Sequence, residues 1–152
     1  MSLPGAPDLS QPTRESDFDP SDHGWEALQQ DGYEALVGPF WTRHEMGALQ
    51  VALKTRHEHR NRNGAVHGGV ILSLADQGLG LAVLEATGGL KQATIQLDLH
   101  FVAATRPGQF VVCIPKVDRV TSGVAFVRGE LKVGDRLVAT AEGIWKYVEA
   151  KR

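Results

Sequence analysis

A chain of 152 residues suits one domain built around one core. Hydrophobic residues make up 42% and charged residues 22%, and the formal net charge is −2, which gives a nucleic-acid partner no electrostatic support. The single cysteine, Cys113, excludes an intrachain disulfide and fits a reducing compartment; inside the apolar run 110–114 it reads as a buried structural thiol.

Residues 1–20 are rich in Pro, Ser and Asp, read as a flexible arm, and lack the apolar core of a signal peptide. A single domain is expected over 21–152, in the cytoplasm. Ser21 or Asp22 can cap a short helix running to about Gln30, with Gly32 as its terminator. Gly38-Pro39 is a break. Residues 40–45 and 48–60 then read as strands, with Leu49, Val51 and Leu53 alternating. A long apolar helix is expected over about 66–86, ended by Gly88-Gly89. Its apolar stretch, 70–84, is interrupted by Asp76, Gln77 and glycines, and reads as too short and too polar to cross a bilayer.

The remainder is a run of strands. Residues 93, 95, 97, 99 and 101 are apolar and alternate with Thr94, Gln96, Asp98 and His100, the pattern of a half-buried strand. After the turn Arg106-Pro107-Gly108, strands are expected over 110–120, 124–133 and 137–148, joined by connections short enough for antiparallel pairing. A helix apolar nearly all round is normally a core helix, so the economical arrangement is α+β: an antiparallel sheet curled around one long helix.

Within 63–84 the one fully charged residue is Asp76. Burying it costs several kcal/mol unless it is paired or hydrogen-bonded. Gly69, Ser73, Asp76, Gln77 and Gly80 share a helical stripe without Lys, Arg or Glu. It reads as a solvent face or as a surface that meets a ligand or another subunit. His67-Gly68-Gly69 stands where the helix begins; the glycines either ease a tight turn or leave N–H groups open to an anion at the positive end of the helix dipole. His67 and Asp76 are nine positions apart, about 14 Å along a helix. If both act on one substrate, they must come from different protomers, which predicts a dimer with two shared sites.

The run 61–76, with Asn61, His67-Gly68-Gly69 and Asp76 at its fixed spacings, resembles the signature of hotdog-fold acyl-CoA thioesterases. Within these it is most similar to the phenylacetate-degradation type. The resemblance spans roughly 30–148. It implies hydrolysis of an aryl- or alkyl-CoA thioester, with Asp76 as nucleophile or general base and the Gly68 N–H as oxyanion donor. It implies that His67 and Asn61, from the opposite protomer, orient thioester and water, and that Thr94 holds the water near the carboxylate. Gly69 and Ser73 would face the substrate, and Arg106, Lys116 and Arg119 would meet the CoA phosphates. It also implies a continuous-sheet homodimer, often paired into a tetramer, with no metal or organic cofactor beyond the CoA of the substrate, and no nucleic-acid or membrane partner. Leu79, Val83, Trp25, Tyr33 and Trp41 are the expected neighbours of the acyl group.

Three rivals remain. His57-Glu58-His59 beside His67 and Asp76 could be mistaken for a metal site, although no established ligand spacing follows. A hotdog hydratase would share the fold but surrounds its His differently. A non-catalytic acyl-CoA binding module would have no need of Asp76.

Overall fold

The structure is a computed structural model and describes residues 18–148. Its strands are β1 (Glu26–Ala27), β2 (Phe40–Glu45), β3 (Ala48–Lys54), β4 (Gln92–Phe101), β5 (Phe110–Val120), β6 (Val124–Val133) and β7 (Arg136–Tyr147). Two helices accompany them, the short α1 (Gly32–Val37) and the long α2 (Gly68–Ala86). All seven strands form one sheet in the order β1-β2-β3-β5-β6-β7-β4, with every pair antiparallel. The sheet wraps α2, as the apolar pattern requires.

The N-terminal region departs from expectation. Most of the expected arm, residues 1–17, lies outside the described residues. Phe18 packs against Phe110 and His23, and Pro20 is buried. No helix runs to Gln30. Asp19 caps a single 3-10 turn, Pro20–His23, by accepting the Ser21 N–H, and Gly24 ends it in the left-handed region at φ 79°. Gly32 opens α1 rather than closing a helix. Strand β3 likewise stops at Lys54, and the chain turns through a 3-10 segment, His57–His59.

Helix α2 buries Ile71, Leu74, Leu79 and Val83 beneath the sheet. By length and composition alone it could cross a bilayer, which the expectation from 70–84 denied; in the fold it is the core helix. Small residues let the layers close. A Cβ on Gly78 would lie 2.5 Å from Cys113 Sγ, and one on Gly129 would lie 3.0 Å from Leu79 Cδ1. Cys113 is fully buried, and desolvation pushes its thiol up to about 12, so it is a packing residue.

Among the described residues, strand β4 pairs only with β7, and its other edge is unpaired. On β4 Ile95 is 57% exposed and Phe101 60%, and Val102 just beyond it 55%, so large apolar side chains stand exposed along the unpaired edge among its polar ones.

Candidate active site

The start of α2 is built around the imidazole of His67. Four N–H groups at a helix start lack intrahelical partners. His67 Nδ1 accepts from Gly69 N at 2.8 Å, and the His67 carbonyl accepts from Val70 N at 2.9 Å and Ile71 N at 3.4 Å. Of these four, the Gly68 N–H alone has no acceptor among the described residues. Because Nδ1 is an acceptor here, the neutral ring carries its proton on the exposed Nε2. Neither glycine has a positive φ, so a tight turn is not the reason for the pair. A Cβ on Gly69 would meet His67 Nδ1 at 3.0 Å, and one on Gly68 would meet the Phe101 ring at 3.1 Å. The glycines serve close approach.

Asn61 lies in the loop before this cap. Its Oδ1 accepts from Asn63 N at 2.9 Å and Ala65 N at 3.2 Å, so the oxygen shapes the loop and is not the group left for a substrate. The loop is tied to the cap by His67 N donating to His59 O at 2.8 Å.

About two and a half turns along α2, Asp76 Oδ1 accepts a hydrogen bond of 2.7 Å from Thr94 Oγ1 on β4. Strict alternation would have turned Thr94 away with Gln96, Asp98 and His100. Instead the β4–β7 register slips between Thr94 and Gln96: Thr94 stands opposite Trp145, and Gln96 opposite Ile144. Trp145 faces α2, where its ring meets Gly80, so Thr94 faces α2 as well. Ile95 is the extra residue of a β-bulge, and the bulge aims the hydroxyl at the carboxylate.

Asp76 lines a cleft of about 230 Å³ with Tyr33, Glu34, Phe40, Leu72, Ser73, Gln77 and Leu97. Helix α1 forms one wall. Tyr33 Oη and Ser73 Oγ are 2.7 Å apart, and Ser73 Oγ donates to Gly69 O at 2.7 Å. Gln30 Nε2 donates to Gln77 Oε1 at 2.9 Å. The small polar stripe of α2 is thus a partly covered cleft wall, not a solvent face. Arg56 positions α1 by donating to Leu36 O, Val37 O and Gly38 O at 2.7, 3.0 and 2.6 Å.

The remaining sequence candidates scatter. Arg106 follows Thr105, whose carbonyl accepts from Val66 N, and so lies beside the start of α2. Lys116 and Arg119 stand opposite Arg128 and Phe126 on the face of the sheet turned away from α2, so one protomer does not bring the basic trio together. Leu79 and Val83 are core residues with no exposure, and Trp25 is buried against Phe110 and Arg43; these three are not cleft residues. His57 and His59 share no strand face. His59 is buried, with Nδ1 accepting from Arg56 N and Nε2 bonded to Val37 O. Among the described residues no group of three or more His, Cys, Asp or Glu is placed to hold a metal.

The sequence reading missed Glu34, Phe40, Leu97 and Phe101. Leu97 and Phe101 were visible as one phase of an alternating strand. Glu34 shares a helical face with buried Val37, a charge on an inward face.

Residues 63–141, more than half of the chain, match the family model of the thioesterase superfamily. The Pseudomonas aeruginosa protein PA0474, named provisionally as an esterase, is 36% identical over 112 residues, covering 72% of this chain and 84% of its own. Among solved structures, PA5202 of Pseudomonas aeruginosa superimposes with a TM-score of 0.72 at 29% identity, covering 78% of this chain and 95% of its own. The phenylacetic acid degradation protein PaaI of Thermus thermophilus (a mutant form) gives 0.69 at 21% identity, covering 78% and 100%. The Bacillus halodurans protein BH2602, solved with CoA, gives 0.66 at 20% identity, covering 72% and 74%. One long helix wrapped by an antiparallel sheet is the hotdog fold these share, and the chain belongs to the thioesterase superfamily as a thioester hydrolase.

Proposed function

We propose that this protein hydrolyses an aryl- or alkyl-CoA thioester to free acid and CoA, with Asp76 as its catalytic carboxylate. The observation that carries the reading is the Thr94–Asp76 hydrogen bond at the cleft. Thr94 occupies Oδ1 and leaves Oδ2 for the reaction. As general base, Oδ2 takes a proton from water while the water oxygen bonds to the thioester carbon; as nucleophile, it bonds that carbon itself, and water then hydrolyses the anhydride. In either course negative charge gathers on the carbonyl oxygen, for which the uncommitted Gly68 N–H is the donor. The C–S bond breaks as that intermediate collapses, to the free acid in the first course and to the anhydride that water then opens in the second. The departing thiolate takes up the proton lost by the water.

Gly68 and Asp76 of one chain are too far apart to serve one carbonyl, so the reading includes a homodimer joined through the open β4 edge, with Asn61, His67 and Gly68 supplied across the interface. The unpaired edge of β4, with Ile95 and Phe101 exposed, supports this. Pairing of such dimers into a tetramer is part of the same proposal. Arg106, beside α2, is the basic residue proposed to meet the CoA phosphates; CoA in the Bacillus halodurans protein of this fold supports that substrate. The reaction so written calls for no metal or organic cofactor, and a reducing cytoplasm suits the buried thiol.

The test is release of free thiol from a panel of aryl- and alkyl-CoA thioesters by wild type and Asp76→Ala. Turnover by wild type, lost by about 10²- to 10⁴-fold in a folded variant, is expected. Retention of intact thioester by wild type without thiol release would replace the enzyme with a binding module.

A further inference from the structure

Resting on that reading, we infer that Glu34 is a specificity-determining residue: it makes the acyl cleft beside Asp76 admit neutral acyl groups and turn away those ending in a carboxylate. Within α1, Tyr33, Ala35 and Leu36 are exposed, whereas Glu34 is half-buried and lines the same cleft as Asp76. Two carboxylates therefore border about 230 Å³ of space. No lysine or arginine among the described residues pairs with either. Gln77 Nε2 donates to Glu34 Oε1 at 3.5 Å.

The other polar groups of the cleft have little to offer an anion. Ser73 donates to Gly69 O, so the Tyr33–Ser73 bond takes the Tyr33 proton. Thr94 donates to Asp76. Gln77 presents its NH₂ to Glu34 because its oxygen is held by Gln30. Phe40, Leu72 and Leu97 complete the lining and are apolar. A carboxylate entering here would lose its hydration, find within the protomer only the second N–H of Gln77 uncommitted while Asn61, His67 and Gly68 from the other chain serve the thioester, and meet two like charges. A methyl terminus of the same length would meet apolar wall.

Butyryl-CoA and succinyl-CoA, with equal carbon counts, are the probes. Wild type is expected to favour butyryl by at least about 100-fold in kcat/KM, the order of one like-charge contact near 6 Å at an effective dielectric near 20. Glu34→Gln should narrow that ratio by about tenfold or more, and Glu34→Lys further, while Glu34→Asp keeps it. A Glu34 that merely favours the first turn of α1 would move the melting temperature and both substrates together. An unchanged ratio in Glu34→Gln and Glu34→Lys, or wild type accepting succinyl as readily as butyryl, overturns the filter and leaves the thioesterase reading standing. Wild type inert toward the whole thioester panel removes both.

Discussion

The Thr94 hydroxyl does two things for Asp76: it donates to Oδ1 and fixes which oxygen remains free. A hydrogen bond to a charged group contributes about 1.5 kcal/mol or more, so Thr94→Val should lower kcat/KM about tenfold, while Thr94→Ser keeps most of it. Steady-state kinetics on the best thioester decides; equal losses in both variants would mean the methyl, not the hydroxyl, matters. His59 shows the same dependence on a single proton. Its Nδ1 accepts from Arg56 N at 3.1 Å and its Nε2–H donates to Val37 O at 2.8 Å, a set that suits only the neutral ring. Burial, assisted by the Arg56 guanidinium, holds its pKa below the ordinary 6.5. The unfolded ring takes up a proton as pH falls through 6.5 and the folded ring does not. Its stability contribution is therefore complete above that pH and is lost progressively below it. Melting temperature should fall more steeply between about pH 7 and pH 5 in wild type than in His59→Gln. Parallel slopes would remove His59 from the acid response.

Among the elements, β4 carries the slip that sets which way Thr94 faces. Deleting Ile95 removes the extra residue and leaves Thr94 opposite Trp145 and Gln96 opposite Ile144 in plain alternation, so Thr94 still faces α2. Most of the activity should therefore survive the deletion, with the circular dichroism of a folded sheet retained; a loss in the folded variant as large as that of Thr94→Val would show that the bulge's own geometry, not the phase of the strand, aims the hydroxyl. The same element marks where sequence reading stops. The helix around Asp76, the His67 start and the strands β5 to β7 were legible because each follows from periodicity or spacing within a few turns. Thr94 was assigned to the polar phase of its strand, and its inward aim depends on a one-residue slip that a period of two conceals. Helix α1 was missed because its six residues carry few apolar anchors, and Arg56, far along the chain, holds its C-terminal carbonyls. Lys116 and Arg119 looked close to the site because sequence does not say which side of β5 meets α2.

For the whole molecule, the decisive quantity is how many chains build one site. Within a protomer, α2 separates the Gly68 N–H from Asp76 by more than a thioester carbonyl can bridge, while among the described residues β4 has an unpaired edge with large apolar side chains exposed along it. If the edge joins two copies with α2 antiparallel, each site takes Asp76 from one chain and Asn61, His67 and Gly68 from the other. Asp76→Asn and His67→Ala homodimers then each lose both sites. A mixed dimer gathers both substitutions into one site and leaves the other wild type. Unfolding and refolding an equimolar mixture should restore about a quarter of wild-type activity, because half the dimers are mixed and each has one of two sites intact. A different tag on each variant and purification through both tags in turn isolates the mixed species and should raise that to about half. Sites built within single chains would give no recovery at any mixing ratio, since every site would then carry one substitution or the other.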